Sequence, residues 1–174
     1  TEGFRNFPIV EDATDLGFGF YWRRFMASFS TPDIPDGHVM SQENAIKLYN
    51  ELENENTLTW IGQSTLLIKI AGMVILTDPF FSPYASPLPM GPRRYVGPDI
   101  SAEHLPEIDV ILMSHNHYDH LDAKFLESLP NKNIIHVYVP LGLKNFFTER
   151  GYTHIFEFDW YDSRSIADIQ VRAL

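Results

Sequence analysis

Ser114-His115-Asn116-His117-Tyr118-Asp119-His120-Leu121-Asp122 decides how the rest of the chain is read. Four candidate metal ligands, His115, His117, Asp119 and His120, fall within six residues, directly after the apolar run Val110-Ile111-Leu112-Met113. That run is short, continuous and rich in branched side chains, which predicts a buried strand. Asp122 is placed to cap a following helix with Phe125, Leu126 and Leu129 on one face. The cluster therefore lies between the carboxyl end of a strand and the start of a helix, where α/β folds place their ligand sites.

Side chains two apart in an extended segment point the same way. His115 and His117 are thus expected to converge on one cation while Asn116 and Tyr118 face away. As the chain turns, Asp119 and His120 reach a second position. Imidazole and carboxylate suit zinc and other divalent transition metals, and two-metal hydrolases hold their ions about 3.5–4 Å apart. A single histidine in a polar loop needs no special account; four ligands in one His-x-His-x-Asp-His array do.

The 174 residues are enough for one domain with a real core, and 44% of them are apolar. No apolar run reaches the length of a membrane-spanning helix. The net charge of −10 argues against nucleic-acid binding, which depends on neutralising phosphates, and against a polybasic membrane anchor. With no cysteine, disulfides and thiolate zinc sites are both excluded. The sequence starts at Thr1, not Met, which leaves a preceding segment such as a signal peptide open. A cytoplasmic or peripheral-membrane location is expected, with an exported form left open.

Residues 1–40 form an aromatic arm, with Phe18, Phe20, Tyr21, Trp22, Phe25 and Phe29 too dense for a solvated tail. Packing onto the main domain is the expected role; Arg23-Arg24 beside the rings keeps a lipid-touching segment as the alternative. Ser41 is expected to cap a helix to about Glu53 with Ile46, Tyr49 and Leu52 inward. Strands follow at Leu58–Ile61, Ser64–Ile70 and, after an Ala71-Gly72 turn, Met73–Leu76. Thr77–Ser82 reads as a further strand ending in a loop, and Pro-rich residues 82–107 as a long functional loop. Beyond the motif come a strand over Ile134–Val139, a helix from Pro140 to Arg150 stopped by Gly151, a strand over His154–Phe158 and another beginning at Ile166. The pattern is a layered α/β arrangement.

The motif resembles the signature of the metallo-β-lactamase fold superfamily. Further blocks follow one another in family order: Trp60-Ile61-Gly62-Gln63-Ser64-Thr65, Leu76 through Ser82, Ala85-Ser86-Pro87, Met90-Gly91-Pro92-Arg93-Arg94, Val139-Pro140-Leu141-Gly142-Leu143 and Asp159-Trp160. Together they resemble the branch of N-acyl-phosphatidylethanolamine-hydrolysing phospholipases D. The resemblance implies an αβ/βα sandwich with two zinc ions in a cleft, His115 and His117 on one and Asp119 and His120 on the other. It makes residues 41–174 the N-terminal part of such a domain. It also implies further ligands, two histidines and a bridging Asp, from beyond Leu174 or from another chain. His136 and His154 do not match those later motifs and read as structural. Asp78 matches a family acid that orients the ligand histidines, although a turn residue before Pro79 explains it equally well. Gln63 stands where the family usually has His.

The function expected on this basis is zinc-dependent hydrolysis of a phosphodiester, in an N-acyl-phosphatidylethanolamine-like phospholipid, with Asp119 also orienting the hydroxide. Peripheral membrane contact would accompany that substrate. Phe80, Phe81, Tyr84, Leu88 and Met90 are candidates for acyl-chain contact, or simply for packing. The alternatives are a lactonase or other ester hydrolase on the same fold, or an incomplete, inactive chain that binds metal or a partner.

Overall fold

Period-two apolar patterning from Leu58 to Phe158 builds one six-stranded sheet in the computed structural model, which describes residues 17–27 and 33–174. Strands β1 (Thr57–Gly62), β2 (Thr65–Ile70) and β3 (Met73–Thr77) form an antiparallel meander. Ala71 and Gly72 join β2 to β3 with φ of 50° and 74°, the paired positive values that a two-residue hairpin turn requires. Strands β4 (Val110–Leu112), β5 (His136–Pro140) and β6 (His154–Phe158) continue the sheet in parallel, in the order β1-β2-β3-β4-β5-β6. Helix α3 (Ala123–Ser128) connects β4 to β5, and α4 (Lys144–Thr148) connects β5 to β6.

Alternation sends the strand side chains into two layers. Leu67, Leu76, Ile111, Val137 and Val139 meet Phe125 and Leu126 of α3 and Phe147 of α4 on one face. The same layer takes Ala45, Ile46 and Tyr49 of α2 (Gln42–Glu51). On the other face Ile75, Val110 and Tyr138 lie under Ile166, Ile169 and Val171. Those three belong to a separate hairpin of β7 (Ser163–Ile166) and β8 (Ile169–Arg172). The turn of that hairpin uses Ala167 at φ 46°. The second face is therefore partly covered from within the chain.

Several expected boundaries move, each for a local reason. The segment Asp78–Ser82 is not a strand: β3 ends at Thr77, and Asp78 turns left-handed at φ 36°. The helix expected over 140–150 shrinks to α4, because Pro140 completes β5 and Gly142 takes φ 91°. Gly151 does end that segment, at φ 90°. β5 starts two residues late, at His136, since the Ile134 amide closes a turn on the Asn131 carbonyl at 2.9 Å. The single strand expected from Ile166 is instead the β7–β8 hairpin. Ser41 caps α2 through the Asn44 amide as expected, but Leu52 is its exposed C-cap, not an inward residue.

Residues 1–16 and Phe29 of the expected arm lie outside the described residues. The described part is helix α1 (Phe18–Ala27). Phe18, Tyr21, Trp22, Phe25 and Met26 there are each more than half exposed, so the packing expected of the arm is not found in this helix. Phe18 and Phe25 both lie against the Trp22 ring, at 6.3 and 5.9 Å between centroids. No helix among the described residues is long and apolar enough to cross a membrane.

Candidate active site

β3 and β4 end side by side, and the site grows from that edge. The Asp78 amide donates to the Leu112 carbonyl at 2.9 Å, which places the buried Asp78 carboxylate under the loop that follows β4. Asp78 Oδ1 accepts the Ser114 amide at 2.7 Å, and Oδ2 accepts the Ser114 hydroxyl at 2.6 Å. Oδ2 is also 3.0 Å from His120 Nδ1. A carboxylate only accepts, so His120 carries its proton on Nδ1 and presents Nε2 as the lone pair in the neutral ring. The Ser114 hydroxyl proton is committed to Asp78. The 2.8 Å contact from Ser114 Oγ to His115 Nδ1 is then an imidazole N–H donation, which leaves His115 Nε2 unprotonated as well.

The β1–β2 turn closes on the motif from the other side. Gln63 Nε2 donates to Asp119 Oδ2 at 3.0 Å, and Ser64 Oγ lies 3.0 Å from His120 Nδ1. The imidazoles crowd together, with ring centroids of His115 at 3.9 Å from His120 and 4.6 Å from His117. Asp119 Oδ2 is 3.7 Å from His120 Nε2. Desolvation, then the neighbouring His120 and His117 rings, push the His115 pKa down from its ordinary value. That shift favours the neutral form, which is the form able to bind a cation.

The four motif side chains share one neighbourhood. His115 sits between His117 and His120. Among the described residues no three His, Asp or Glu side chains are arranged to hold one ion as they stand. The donor set suits a divalent metal in chemistry: imidazoles beside a carboxylate, with the Nδ1 of His115 and of His120 held by an acceptor, is the way protein metal sites fix imidazole ligands. His117 and Asp119 open into a cleft of about 1130 Å³, also lined by Trp60, Phe80, Tyr95 and Phe146. Asn116 and Tyr118 line it too, contrary to the expectation that they face away, because the chain after Leu112 is irregular and leaves strand alternation behind. His136 and His154 lie elsewhere: His136 pairs in register with Val110 at the start of β4 and with His154 on β6, and the two rings stack at 5.0 Å, at the opposite end of the strands from the motif.

A family model described as the beta-lactamase superfamily domain matches residues 57–173, from the first residue of β1 to just past β8. The chain belongs to the beta-lactamase superfamily. Its curated relatives include N-acyl-phosphatidylethanolamine-hydrolysing phospholipases D. It is 41% identical over 95 residues to N-acyl-phosphatidylethanolamine-hydrolyzing phospholipase D 1 of Caenorhabditis elegans, covering 53% of this chain and 27% of the relative. It is 36% identical over 108 residues to the mitochondrial N-acyl-phosphatidylethanolamine-hydrolyzing phospholipase D of Saccharomyces cerevisiae, covering 62% of this chain and 23% of the relative. The chain thus spans about a quarter of the length of these curated relatives. Among solved structures, a possible metal-dependent hydrolase from Veillonella parvula superposes with TM-score 0.56 at 24% identity, over 68% of this chain and 47% of that one. That likeness bears on the fold alone.

For this chain of the beta-lactamase superfamily, several site contacts were not visible in the sequence. Ser64 and the Gln63 amide reach the motif across the fold, as Ser114 reaches Asp78, and no periodicity signals them. The loop over 82–107 does contribute to the cleft, chiefly through Ala85, Arg93, Arg94, Tyr95 and Asp99. Of the expected acyl-chain contacts only Phe80 lines it. Phe81 instead stacks on Phe125 at 4.2 Å in the core, and Leu88 and Met90 are exposed outside it.

Proposed function

We propose that the chain provides the His-x-His-x-Asp-His half of a dinuclear zinc phosphodiesterase acting on N-acyl-phosphatidylethanolamine-like phospholipids, with cleavage of the phospholipase D type. The observation that carries the reading is the Asp78–Ser114–His115 and Asp78–His120 network, which holds both imidazoles by Nδ1 and leaves His120 Nε2 beside Asp119, itself at the edge of an open cleft. The printed names of the relatives supply the substrate class. His115 and His117 are assigned to one cation, Asp119 and His120 to the other. A bound pair of zinc ions supplies Lewis acidity and a water acidic enough to ionise near neutral pH. Asp78 holds the imidazoles in their ligand tautomers, and Asp119 orients the attacking oxygen.

Arg93 favours a phosphodiester over a lactone. It is exposed, lines the same cleft as His117 and Asp119, and has no ion pair among the described residues. An unpaired guanidinium there suits a phosphate oxygen. The exposed rings of α1 beside Arg23 support contact with a lipid surface. The reading is tested with a panel of N-acyl-phosphatidylethanolamine vesicles, a lactone and a simple phosphodiester, with zinc added or chelated, on this chain and on any longer form of it. Zinc-dependent release of phosphatidic acid supports the reading; lactone turnover alone moves the chain to the ester hydrolases. A second reading is favoured by the absence of any described trio of ligands on one ion: residues outside these 174, in the same polypeptide or a second chain, complete the site, and without them it is inactive.

A further inference from the structure

We propose that Gln63 is a positioning residue for Asp119, its side-chain amide fixing one oxygen of that carboxylate and leaving the other to a divalent cation. The proposal rests on reading Asp119 as a metal ligand and goes beyond it, because it assigns what orients that ligand. Gln63 occupies the turn between β1 and β2 with φ 56°, an uncommon backbone for a residue with a side chain. Two neighbours hold it there. The Trp60 indole N–H donates to the Gln63 carbonyl at 2.8 Å. Gly62, at φ 125°, lets the Arg94 guanidinium pass so close that a Cβ would run into it, and Arg94 in turn donates to the carbonyls of Phe80 and Val96. With its backbone pinned from both sides, the Gln63 side chain is aimed, not merely tethered.

That aim ends 56 residues further along the chain, on Asp119 Oδ2 at 3.0 Å. The atom facing a carboxylate must be the amide nitrogen, since the amide oxygen would repel it. Oδ2 is also the oxygen nearest His120 Nε2, at 3.7 Å, so the carboxylate is turned with Oδ2 inward. Among the described residues Asp119 Oδ1 accepts no hydrogen bond. One oxygen is held and the other is available, which removes a rotation that a cation would otherwise have to freeze. Ser64, next in the turn, lies 3.0 Å from His120 Nδ1, so the same short segment supports two motif side chains. An imidazole at position 63 would offer a donor in only some of its states, whereas an amide keeps its N–H at any pH.

The experiment combines zinc alone, titrated against a competing chelator, with the side-chain amide resonances of Gln63 in nitrogen-edited NMR. The intact 174-residue chain and its Gln63→Leu, Gln63→His and Asp119→Ala variants are compared. Gln63→Leu is expected to weaken zinc binding about 10- to 100-fold, the range for losing a hydrogen-bond partner of a ligand. Gln63→His is expected to recover part of that loss, and the melting temperature to stay put because Gln63 is exposed. Asp119→Ala is expected to move the Gln63 amide signals toward their free positions. Equal zinc affinity in the parent and the Leu variant overturns the proposal, as do amide signals indifferent to Asp119→Ala. Signals that move while the parent binds no zinc leave the amide–carboxylate contact standing but overturn the claim that it serves a cation in this chain.

Discussion

At the scale of single residues, Asp78 shows how one side chain is shared between fold and chemistry. Its carboxylate is buried and takes two contacts from Ser114 and one from His120, so removing it leaves several polar groups without partners. Asp78→Ala is expected to cost about 2–4 kcal/mol, as loss of a buried charged acceptor does, and to weaken zinc binding about tenfold or more. Denaturant unfolding and chelator competition on one preparation check both. His117 and Asp119 differ, because they face the cleft from a loop. Replacing either with Ala in an active form of the protein is expected to cut turnover by at least about a hundredfold while shifting stability by no more than about 0.5 kcal/mol. Unchanged turnover at matched metal content removes the motif from the mechanism. The cluster of motif side chains was legible because its signal is local spacing. Asp78 as an orienting acid was suggested only by the family resemblance, with a turn residue as the alternative, and Ser64 beside the same His120 Nδ1 was not legible, because it comes from another part of the sheet.

Elements show the same division between local and distant causes. Asp122 was readable as a cap, and its Oδ1 does accept the Phe125 amide at 3.1 Å. Its second role was not readable, since Oδ2 takes the amides of Phe81 at 3.0 Å and Ser82 at 2.6 Å and so binds the segment after Asp78 to the start of α3. Asp122→Ala is therefore expected to cost more than an ordinary cap, about 3 kcal/mol against about 1. A loss near the lower figure in denaturant unfolding would show that the segment holds without it. Strand cores in β1 to β6 were legible from apolar runs, while helix lengths were not, since Pro140 and Gly142 shorten α4 by favouring the strand end and a left-handed turn. At the far end of the sheet, desolvation first, then His154 and Arg164, lower the His136 pKa, with Asp109 opposing. The unfolded chain then binds more protons as pH falls below about 6.5, so stability declines on acidification through that range. His136→Phe keeps the stacked ring and is expected to flatten the decline between about pH 7.5 and pH 5.5, read from urea midpoints.

For the whole molecule, the question is whether this arrangement can retain metal by itself. Catalytic zinc sites have three protein ligands per ion as a rule, and on the proposed assignment four motif side chains shared between two cations supply two each. The His115 ring lies between those of His117 and His120, and no described trio closes on a single ion. Metal entry must therefore either rearrange these side chains or recruit ligands from elsewhere. The second sheet face bears on the same point, because the β7–β8 hairpin alone, among the described residues, lies over Ile75, Val110 and Tyr138. The Tyr138 hydroxyl is buried there with no hydrogen-bond partner among the described residues. A buried hydroxyl left unpaired costs roughly 1–3 kcal/mol, which a covering element with an acceptor would recover. The 174-residue chain alone is accordingly expected to lose zinc to a chelator of micromolar affinity and to show no hydrolysis. A form in which further chain covers this face is expected to hold two zinc ions per site and to turn over. Intact mass, solution size and zinc content measured on one sample decide between these. A compact monomer of 20.1 kDa carrying two tightly bound zinc ions would show that the motif completes its own site without recruited ligands.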